Sequence, residues 1–316
     1  MCECVFSQHS YGFRPDRSAH DAVRAAQGYI KAGKHWVVDI DLKSFFDEVD
    51  HDILMRELRP CVADKQVRKL IGAYLRAPMQ EGDGKRIARR KGTPQGGPLS
   101  PLLANIYLDP LDKELERRGL SFVRYADDIA IYVNSARSAE RVLHSILAWI
   151  EKHLRIPVNR EKIGHGPSDE SALLGFRLYS DGAIGLSPKS LERLKANVRR
   201  LWEARQSLSS NELRDNWQAY IRGWWNYYQL AERLWGLTDL SGWIRRHMRK
   251  CFWLRWKTPA GRINALSRLG VNTRACGLGY TGLGAWCVAR LPALNQALSN
   301  RRLKRYGFII PWTGEV

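Results

Sequence analysis

Two stretches with the alternating pattern of β-strands flank a pair of adjacent aspartates, Asp127 and Asp128, in the segment FVRYADDIAIYV. The alternation predicts two strands joined by a short connection. Burying two like charges without partners inside such a pair is costly. A tight turn directs its side chains out of the sheet, so the segment predicts a hairpin that carries both carboxylates at its tip.

Another predicted strand, HWVVDIDL, also ends in carboxylates, and its last aspartate is Asp41. If the two strands are neighbours, Asp41 and Asp127 face each other across a small gap. Carboxylates that meet raise each other's pKa, and a divalent cation relieves the repulsion. Mg²⁺ is held by one or two carboxylates plus substrate phosphates, and two ions about 3.5–4 Å apart serve nucleotidyl transfer. By itself, an Asp-Asp pair is more typical of an ordinary polar turn.

Composition places the chain among globular proteins. Its 316 residues are enough for one large or two ordinary domains, and 44% of them are hydrophobic. No apolar run approaches the roughly 18–20 residues that a membrane span needs, and the first residues lack the pattern of a signal peptide. The six cysteines are scattered without a CxxC pair, which favours reduced intracellular thiols over a disulfide framework or a zinc site.

The net charge of +19 is concentrated in the second part of the chain. Residues 1–185 contain 28 Lys and Arg against 25 Asp and Glu, whereas residues 186–316 contain 23 against 7. Ten of the twelve tryptophans also lie in the second part. Basic residues interleaved with aromatic ones favour a nucleic-acid surface; the alternative is a helical domain with a solvated basic face.

Periodicity predicts alternating helices and strands up to about residue 187 and mostly helices after it. A first helix begins at the capping residue Ser18 and stops near Gly33. A hairpin is expected to turn at Asp181 and Gly182. We therefore predict an α+β domain over 1–187 and a basic helical domain over 188–316.

Six segments, taken in order, resemble the reverse transcriptases of bacterial group II introns, the intron-encoded maturase family. They are SYGFRPDRSAHDAV, VVDIDLKSFFD, TPQGGPLSPLLANIYLDPLDKEL, FVRYADDIAIYV, VNREKIG and LLGFRLY. The later stretch LRDNWQAYIRGWWNYYQLAE resembles the maturase-specific thumb region, domain X. The resemblance implies a right-hand polymerase fold, with a palm and partial fingers over 1–187 and an α-helical thumb over 188–316.

The same resemblance implies an RNA-directed DNA polymerase that also assists intron splicing and mobility. Its implied cofactors are two Mg²⁺ ions, with Mn²⁺ as a substitute. The implied partners are group II intron RNA, an RNA template with a DNA primer, and dNTPs, with no membrane, in the bacterial cytoplasm.

Carried over residue by residue, the resemblance assigns the metal-binding carboxylates to Asp41, Asp127 and Asp128. Asp39 is rejected, because the family's aromatic gate stands five residues after the metal ligand and Phe46 fits Asp41. That ring would exclude a 2′-hydroxyl; the alternative is a core aromatic.

The remaining implied contacts fall into three groups. They are Gln95, Gly96, Lys162 and Arg14 near the nucleotide or template; Gly175 and Phe176 in the primer-gripping hairpin; and Arg222, Arg245, Arg246, Arg249 and Lys250 on an RNA surface. For Arg14 a structural, salt-bridged role is an equal alternative, and Lys162 could be a solvated surface lysine. The rings of WQAYIRGWWNYY have helical spacing, so we expect most of them in the core.

The sequence also departs from the family. The first fingers block, with basic residues that hold the triphosphate, is expected before SYGFRP, but the sequence begins nine residues before Ser10. A Cys/His-rich endonuclease domain is absent from the C-terminal part. Two further functions therefore stay open: a maturase that binds intron RNA without polymerising, and a domesticated host reverse transcriptase in phage defence.

Overall fold

The computed structural model describes most of the chain. It covers residues 6–42, 45–80, 86–87, 89–94, 96–157, 163–203 and 208–314, with only the backbone at 79, 80, 86, 87 and 273. The chain divides into two compact units, Met1–Ile184 and Gly185–Val316. Among the described residues, no helix combines the length and the apolar character needed to cross a membrane.

The first unit mixes helices and strands, as predicted. Its elements are α1 (Ala19–Lys31), β1 (Trp36–Asp41), α2 (Phe45–Glu48), α3 (His51–Cys61), α4 (Lys65–Arg76), β2 (Met79–Gln80), β3 (Arg86–Ile87), α5 (Ser100–Arg117), β4 (Ser121–Tyr125), β5 (Asp128–Val133), α6 (Ala136–His153), β6 (Gly164–Pro167), β7 (Ala172–Leu173), β8 (Phe176–Leu178) and β9 (Ile184–Leu186), whose first residue ends the unit. Helix α1 begins as expected, because Ser18 and Asp21 form a capping box. Its end is also as predicted, since Gly33 takes a left-handed φ of 91°.

The central sheet is antiparallel, with strand order β4-β5-β1-β6. One face packs on α5 and α6 through a continuous apolar core that includes Val38, Ile40, Phe122, Ile129 and Ile131. Helix α1 contacts β4 and β5, and its buried residues include Ala22 and Val23. Because side chains alternate between the two faces of a sheet, successive residues along each strand face the core and the opposite side in turn.

The second unit is helical. Its helices are α7 (Pro188–Leu201), α8 (Ser210–Tyr228), α9 (Leu237–Arg255), α10 (Pro259–Arg268), α11 (Thr273–Cys276), α12 (Ala285–Val288), α13 (Pro292–Ala297) and α14 (Asn300–Arg305), with 3₁₀ turns at Gly277–Tyr280 and Pro311–Thr313. Trp202, Trp217 and Trp253 are each at most 1% exposed. These three tryptophan rings therefore belong to this unit's core and have a structural role.

Candidate active site

Asp41 and Asp128 lie directly opposite each other where β1 ends and β5 begins. Residues opposite each other in an antiparallel pair carry their side chains on the same face, with Cβ atoms about 4.5–5.5 Å apart. Asp127 lies in the two-residue turn between β4 and β5. The expectation that Asp41 faces Asp127 is therefore wrong in register by one residue, because the short turn places Asp128, not Asp127, at the first paired position.

The alternation of β5 explains how a core hairpin accommodates these charges. Ile129 and Ile131 face the apolar core, so Asp128 faces the opposite side of the sheet. Asp39, two residues before Asp41 on β1, shares this face and accepts a hydrogen bond of 2.5 Å from the Ser171 hydroxyl. The carboxylates thus gather on the face that does not pack on the main core.

The carboxyl groups lie close enough together to affect the pKa of Asp128 and of Asp127. Although Asp128 keeps contact with solvent, the protein around its carboxyl raises its pKa to about 7, first by desolvation and then by the charges of Asp39, Asp127 and Asp41. Desolvation also raises the pKa of Asp127, and the Asp41 charge adds to the effect. Carboxyls whose ionised forms repel each other are groups that a cation would stabilise.

The donor set fits a hard divalent cation that shares its coordination with substrate. Carboxylate oxygens are the ligands that Mg²⁺ prefers, and it usually takes one or two of them together with phosphate oxygens. Within the described ranges, no group of three or more Asp, Glu, His or Cys side chains is placed so that it could hold a metal ion, so fewer than three of these carboxylates could bind any one ion. Asp41, Asp127 and Asp128 would hold the ions, with the remaining positions left to substrate oxygens and water.

The raised pKa of Asp128 predicts a pH-dependent stability in metal-free protein. Between the ordinary pKa of 3.8 and about 7, the folded state keeps a proton that the unfolded state has released. The contribution of Asp128 to stability therefore falls as pH rises through this window. In EDTA, the melting temperature of Asp128→Asn should rise relative to wild type between about pH 4 and about pH 7. If the melting temperatures of wild type and Asp128→Asn instead change in parallel with pH over this range, the raised pKa of Asp128 would be contradicted.

The turn that carries Asp127 has a constrained backbone. Ala126 adopts a left-handed φ of 60°, which costs a non-glycine residue about 1–3 kcal/mol. Gly12 packs against it so closely that a Cβ atom at residue 12 would lie 2.3 Å from the Ala126 nitrogen. The glycine of SYGFRP is therefore required by contact with the aspartate turn.

A buried polar network anchors the same turn, and the sequence did not predict it. Arg124 and Asp112 are both fully buried and form a two-pronged ion pair, with N–O distances of 2.7 and 2.6 Å. Arg124 also donates to the carbonyl of Ala126 and to the side chain of Asn105, at 3.0 and 2.9 Å. The Asn105 amide donates to the Gly12 carbonyl at 2.9 Å. Through one connected set of hydrogen bonds, helix α5 thus holds the Ala126 carbonyl of the turn and the Gly12 carbonyl that lies beside it.

Complete burial raises the pKa of the Asp112 carboxyl, and the Arg124 guanidinium opposes that effect. A buried ion pair whose polar atoms find partners contributes structural specificity. Its signal in the sequence is the polar spacing of Asn105, Asp109 and Asp112 on one face of an otherwise apolar helix.

Phe46 lies in α2, just after β1, and is half-buried against Phe45. The Phe46 carbonyl accepts a hydrogen bond of 2.6 Å from the Thr93 amide. A Cβ atom at Gly92 would lie 2.9 Å from that same carbonyl oxygen. Gly92 also has a left-handed φ of 83°, so the segment before the PQGG loop holds Phe46 by direct backbone contact.

The structure changes the interpretation of two predicted nucleotide or primer contacts. Arg14 donates to the backbone carbonyls of Ser7 and Ser10, so its guanidinium stabilises its own loop. Phe176 is fully buried, and a primer cannot reach its ring. Gly175, with a φ of 84°, lies in the adjoining turn and offers only its backbone.

The glycine-rich loop is described in part. Gly96 adopts a φ of 75°, a conformation that favours glycine. Gln95 and Lys162 lie outside the described residues.

The predicted RNA-binding residues of α8 and α9 also separate into different roles. Arg245 and Arg249 are buried, and Arg249 donates to the Leu298 carbonyl and to Asn300. Burial lowers the pKa of Arg249 to about 10. We therefore withdraw these two as phosphate contacts, since both are buried and Arg249 is bound to the C-terminal segment.

Arg246 binds and packs against another residue of the protein. It donates to the Trp286 carbonyl and lies 3.8 Å from the centre of its ring. Arg222 is exposed and Lys250 is partly exposed, so these two remain candidates. The rings of Trp224 and Trp225 pack on Trp312 but stay partly exposed. Of the six rings in this stretch only Trp217 and Tyr228 are buried, so the expectation that most of them lie in the core was wrong.

Comparison with known protein families gives a match in each of the two units. The family profile "Reverse transcriptase (RNA-dependent DNA polymerase)" matches residues 1–178. The profile "Group II intron, maturase-specific domain" matches residues 191–270. The first match covers more than half of the chain and contains the whole aspartate group.

Individual relatives agree with the profiles. Protein YkfC of Escherichia coli K12 is 30% identical over 216 residues, covering 56% of each chain. The group II intron-encoded protein LtrA of Lactococcus lactis is 40% identical over 122 residues, covering 39% of this chain and 20% of LtrA. The chain thus spans about half or less of the length of these relatives.

Among solved structures, telomerase from Candida albicans, in complex with a fragment of telomeric RNA, resembles this fold. Its TM-score is 0.50 at 14% identity, covering 98% of this chain and 55% of that chain. The paired carboxylates, the two profile matches and this shared fold agree with the resemblance found in the sequence. The chain belongs to the reverse transcriptase (RNA-dependent DNA polymerase) family and carries a group II intron maturase-specific domain in its second unit.

Proposed function

We propose that this chain is an RNA-directed DNA polymerase of a group II intron and that it also assists the splicing and mobility of its intron RNA. The observation that carries the proposal is the pairing of Asp41 with Asp128 beside Asp127 in a reverse transcriptase fold. These carboxylates come from distant parts of the sequence and crowd one face of the sheet. Structural charges are usually paired with opposite charges, whereas desolvation first, and then the neighbouring carboxylates, raise the pKa of Asp127 and Asp128.

In the proposed reaction, the primer's 3′-hydroxyl attacks the α-phosphate of a dNTP and releases pyrophosphate. Asp41, Asp127 and Asp128 bind two Mg²⁺ ions, for which Mn²⁺ can substitute. When bound, these ions lower the pKa of the 3′-hydroxyl and neutralise charge on the phosphate oxygens. The Arg124 network keeps the turn fixed while the carboxylates bind, so little reorganisation is needed during the reaction.

The remaining roles are those that the family resemblance implies. Phe46 closes the sugar side of the nucleotide site, and Gly92 positions it. By that resemblance, Gln95 and Gly96 would contact the nucleotide, Lys162 would bind the triphosphate, and Gly175 would support the primer through its backbone.

Replacing Phe46 by valine should weaken sugar discrimination. The smaller side chain would leave room for a 2′-hydroxyl, so incorporation of rNTPs relative to dNTPs should rise about tenfold or more. Single-nucleotide extension with each substrate measures the ratio of kcat/KM values. Phe46→Tyr keeps the ring and should preserve the preference for dNTPs, and an unchanged ratio in Phe46→Val would exclude Phe46 as the gate.

The second unit supports the RNA-binding part of the proposal. It combines the maturase-specific match with 23 basic against 7 acidic residues over 186–316. Intron RNA would contact exposed cations such as Arg222 and Lys250, and affinity should fall steeply as salt rises.

Extension of a DNA primer on an RNA template by the full chain tests the proposal. We expect synthesis that requires Mg²⁺ and dNTPs. RNA binding and splicing assistance without any synthesis would instead support a maturase that acts only as an RNA-binding protein.

A further inference from the structure

The second unit contains a cavity of about 750 Å³. Its wall includes the start of α8, the end of α9, helix α10 and the C-terminal segment from Leu298 to Phe308. Cavities of this size fall within the range that holds organic ligands. None of the residues predicted above to bind RNA lines it.

The inner surface of the cavity is apolar and aromatic. Leu303 and Phe308 are buried at 0% and 3% exposure, and the Phe308 ring lies 5.5 Å from that of Phe252. Trp256 lines the same space, and Tyr306, which is 50% exposed, also lines it. Flat rings in an accessible apolar cavity suit a flat ligand that can stack.

Cationic side chains also line the cavity. Arg214, Arg268 and Arg305 line the cavity, and its lining contains no Asp or Glu. Arg268 and Arg305 are exposed, unlike Arg249, whose guanidinium is used to join α9 to the C-terminal segment. The cavity therefore combines an apolar interior with cations that can meet an anion.

We infer that this cavity binds one unpaired nucleotide of a bound RNA, with its base among the aromatic rings and its flanking phosphates at Arg268 and Arg305. The inference rests on the RNA-binding part of the proposed function and adds a specific site to it. A paired base cannot enter, because its ring is stacked inside a duplex. An apolar helix from a protein partner would remove the arginines from water without supplying anions, which is costly.

Filling the cavity tests the inference directly. Ala265 lines it from α10, so Ala265→Trp should occupy the space of the base. Ala219→Trp places the same side chain at an exposed position of α8 outside the lining. The probe is single-stranded poly(U) RNA carrying one 2-aminopurine, whose fluorescence is quenched on stacking and whose uridine neighbours stack little, with duplex RNA of equal length for comparison.

The inference predicts that Ala265→Trp weakens single-stranded RNA binding about fivefold or more and removes the quenching. Duplex binding should change little, and Ala219→Trp should resemble wild type.

If Ala265→Trp fails to fold, the double variant Arg268→Gln and Arg305→Gln provides the test, because both side chains are exposed. Arg274 and Arg290 are exposed arginines of the same unit outside the cavity lining, so Arg274→Gln combined with Arg290→Gln is the matched control. The pocket double variant should lose at least about fivefold more affinity for single-stranded RNA than this control.

Two results would overturn the inference while leaving the wider proposal intact. One is wild-type affinity and quenching in a folded Ala265→Trp. The other is equal loss of affinity in the pocket double variant and in the double control Arg274→Gln with Arg290→Gln. Failure of the wild-type chain to bind any RNA would instead contradict the RNA-binding function itself, and capture of an apolar peptide without RNA binding would identify a protein site.

Discussion

Replacing Asp127 by asparagine is expected to reduce Mg²⁺-dependent primer extension on an RNA template by about 10³-fold or more. The substitution keeps the size of the side chain but removes an anionic ligand. Cations at such a site contribute several kcal/mol of transition-state stabilisation, and each 1.36 kcal/mol corresponds to about a tenfold change in rate. Steady-state kinetics should show the loss in kcat, whereas the affinity for RNA should stay near that of wild type.

Asp39→Asn is the matched control for this prediction. Asp39 lies on the same strand and face as Asp41, but its carboxylate is bound to Ser171. An amide oxygen can still accept that hydrogen bond, so we expect activity within about tenfold of wild type. The account would be contradicted if Asp39→Asn abolished synthesis while Asp127→Asn retained it.

Replacing Asp112 by asparagine is expected to destabilise the first unit by about 3–5 kcal/mol. The change leaves the Arg124 guanidinium buried without its counter-charge, and both side chains of the pair have 0% exposure in the folded state. Urea unfolding, followed by the signal of the first unit, measures the free energy change. Because the same arginine holds the Ala126 carbonyl, kcat should also fall in protein that remains folded.

Two further variants test whether the destabilisation of Asp112→Asn comes from an unpaired buried charge or from a general loss of packing. Glu57→Gln removes an acidic group from a pair whose partner, Arg56, is 61% exposed, and it should stay within about 1 kcal/mol of wild type. Asp112→Leu combined with Arg124→Met removes both charges and should be more stable than Asp112→Asn. Low activity in this stable double variant would confirm that the network positions the turn. A small stability loss in Asp112→Asn would show that the ion pair matters little.

Local patterns predicted much of the fold. The capping box at Ser18, the strand before Asp41 and the hairpin around the aspartates each depend on residues close together in sequence. The turn at Gly182 is likewise local, since its amide donates to the Tyr179 carbonyl. Such features follow from periodicity and turn chemistry, and the structure confirms them.

The parts of the site that were not predicted depend on contacts between distant residues. The register of β1 on β5, which pairs Asp41 with Asp128, is set by core packing between two strands that are far apart in the sequence. Arg124 and Asp112 lie twelve positions apart and meet only because β4 packs on α5. Burial of Arg245 and Arg249 was missed for a similar reason, because a basic residue on a helix gives no local sign of what packs against it.

Binding of Mn²⁺, followed by electron paramagnetic resonance of the free ion, tests the central claim most directly. If carboxylates from β1 and from the aspartate turn share divalent ions, wild-type protein should bind Mn²⁺ with primer–template and dNTP present. Asp41→Asn and Asp127→Asn should each weaken that binding, while Asp39→Asn should not. Equal Mn²⁺ binding by wild type and Asp41→Asn would show that residue 41 holds no ion together with the turn, and would contradict the proposed polymerase site.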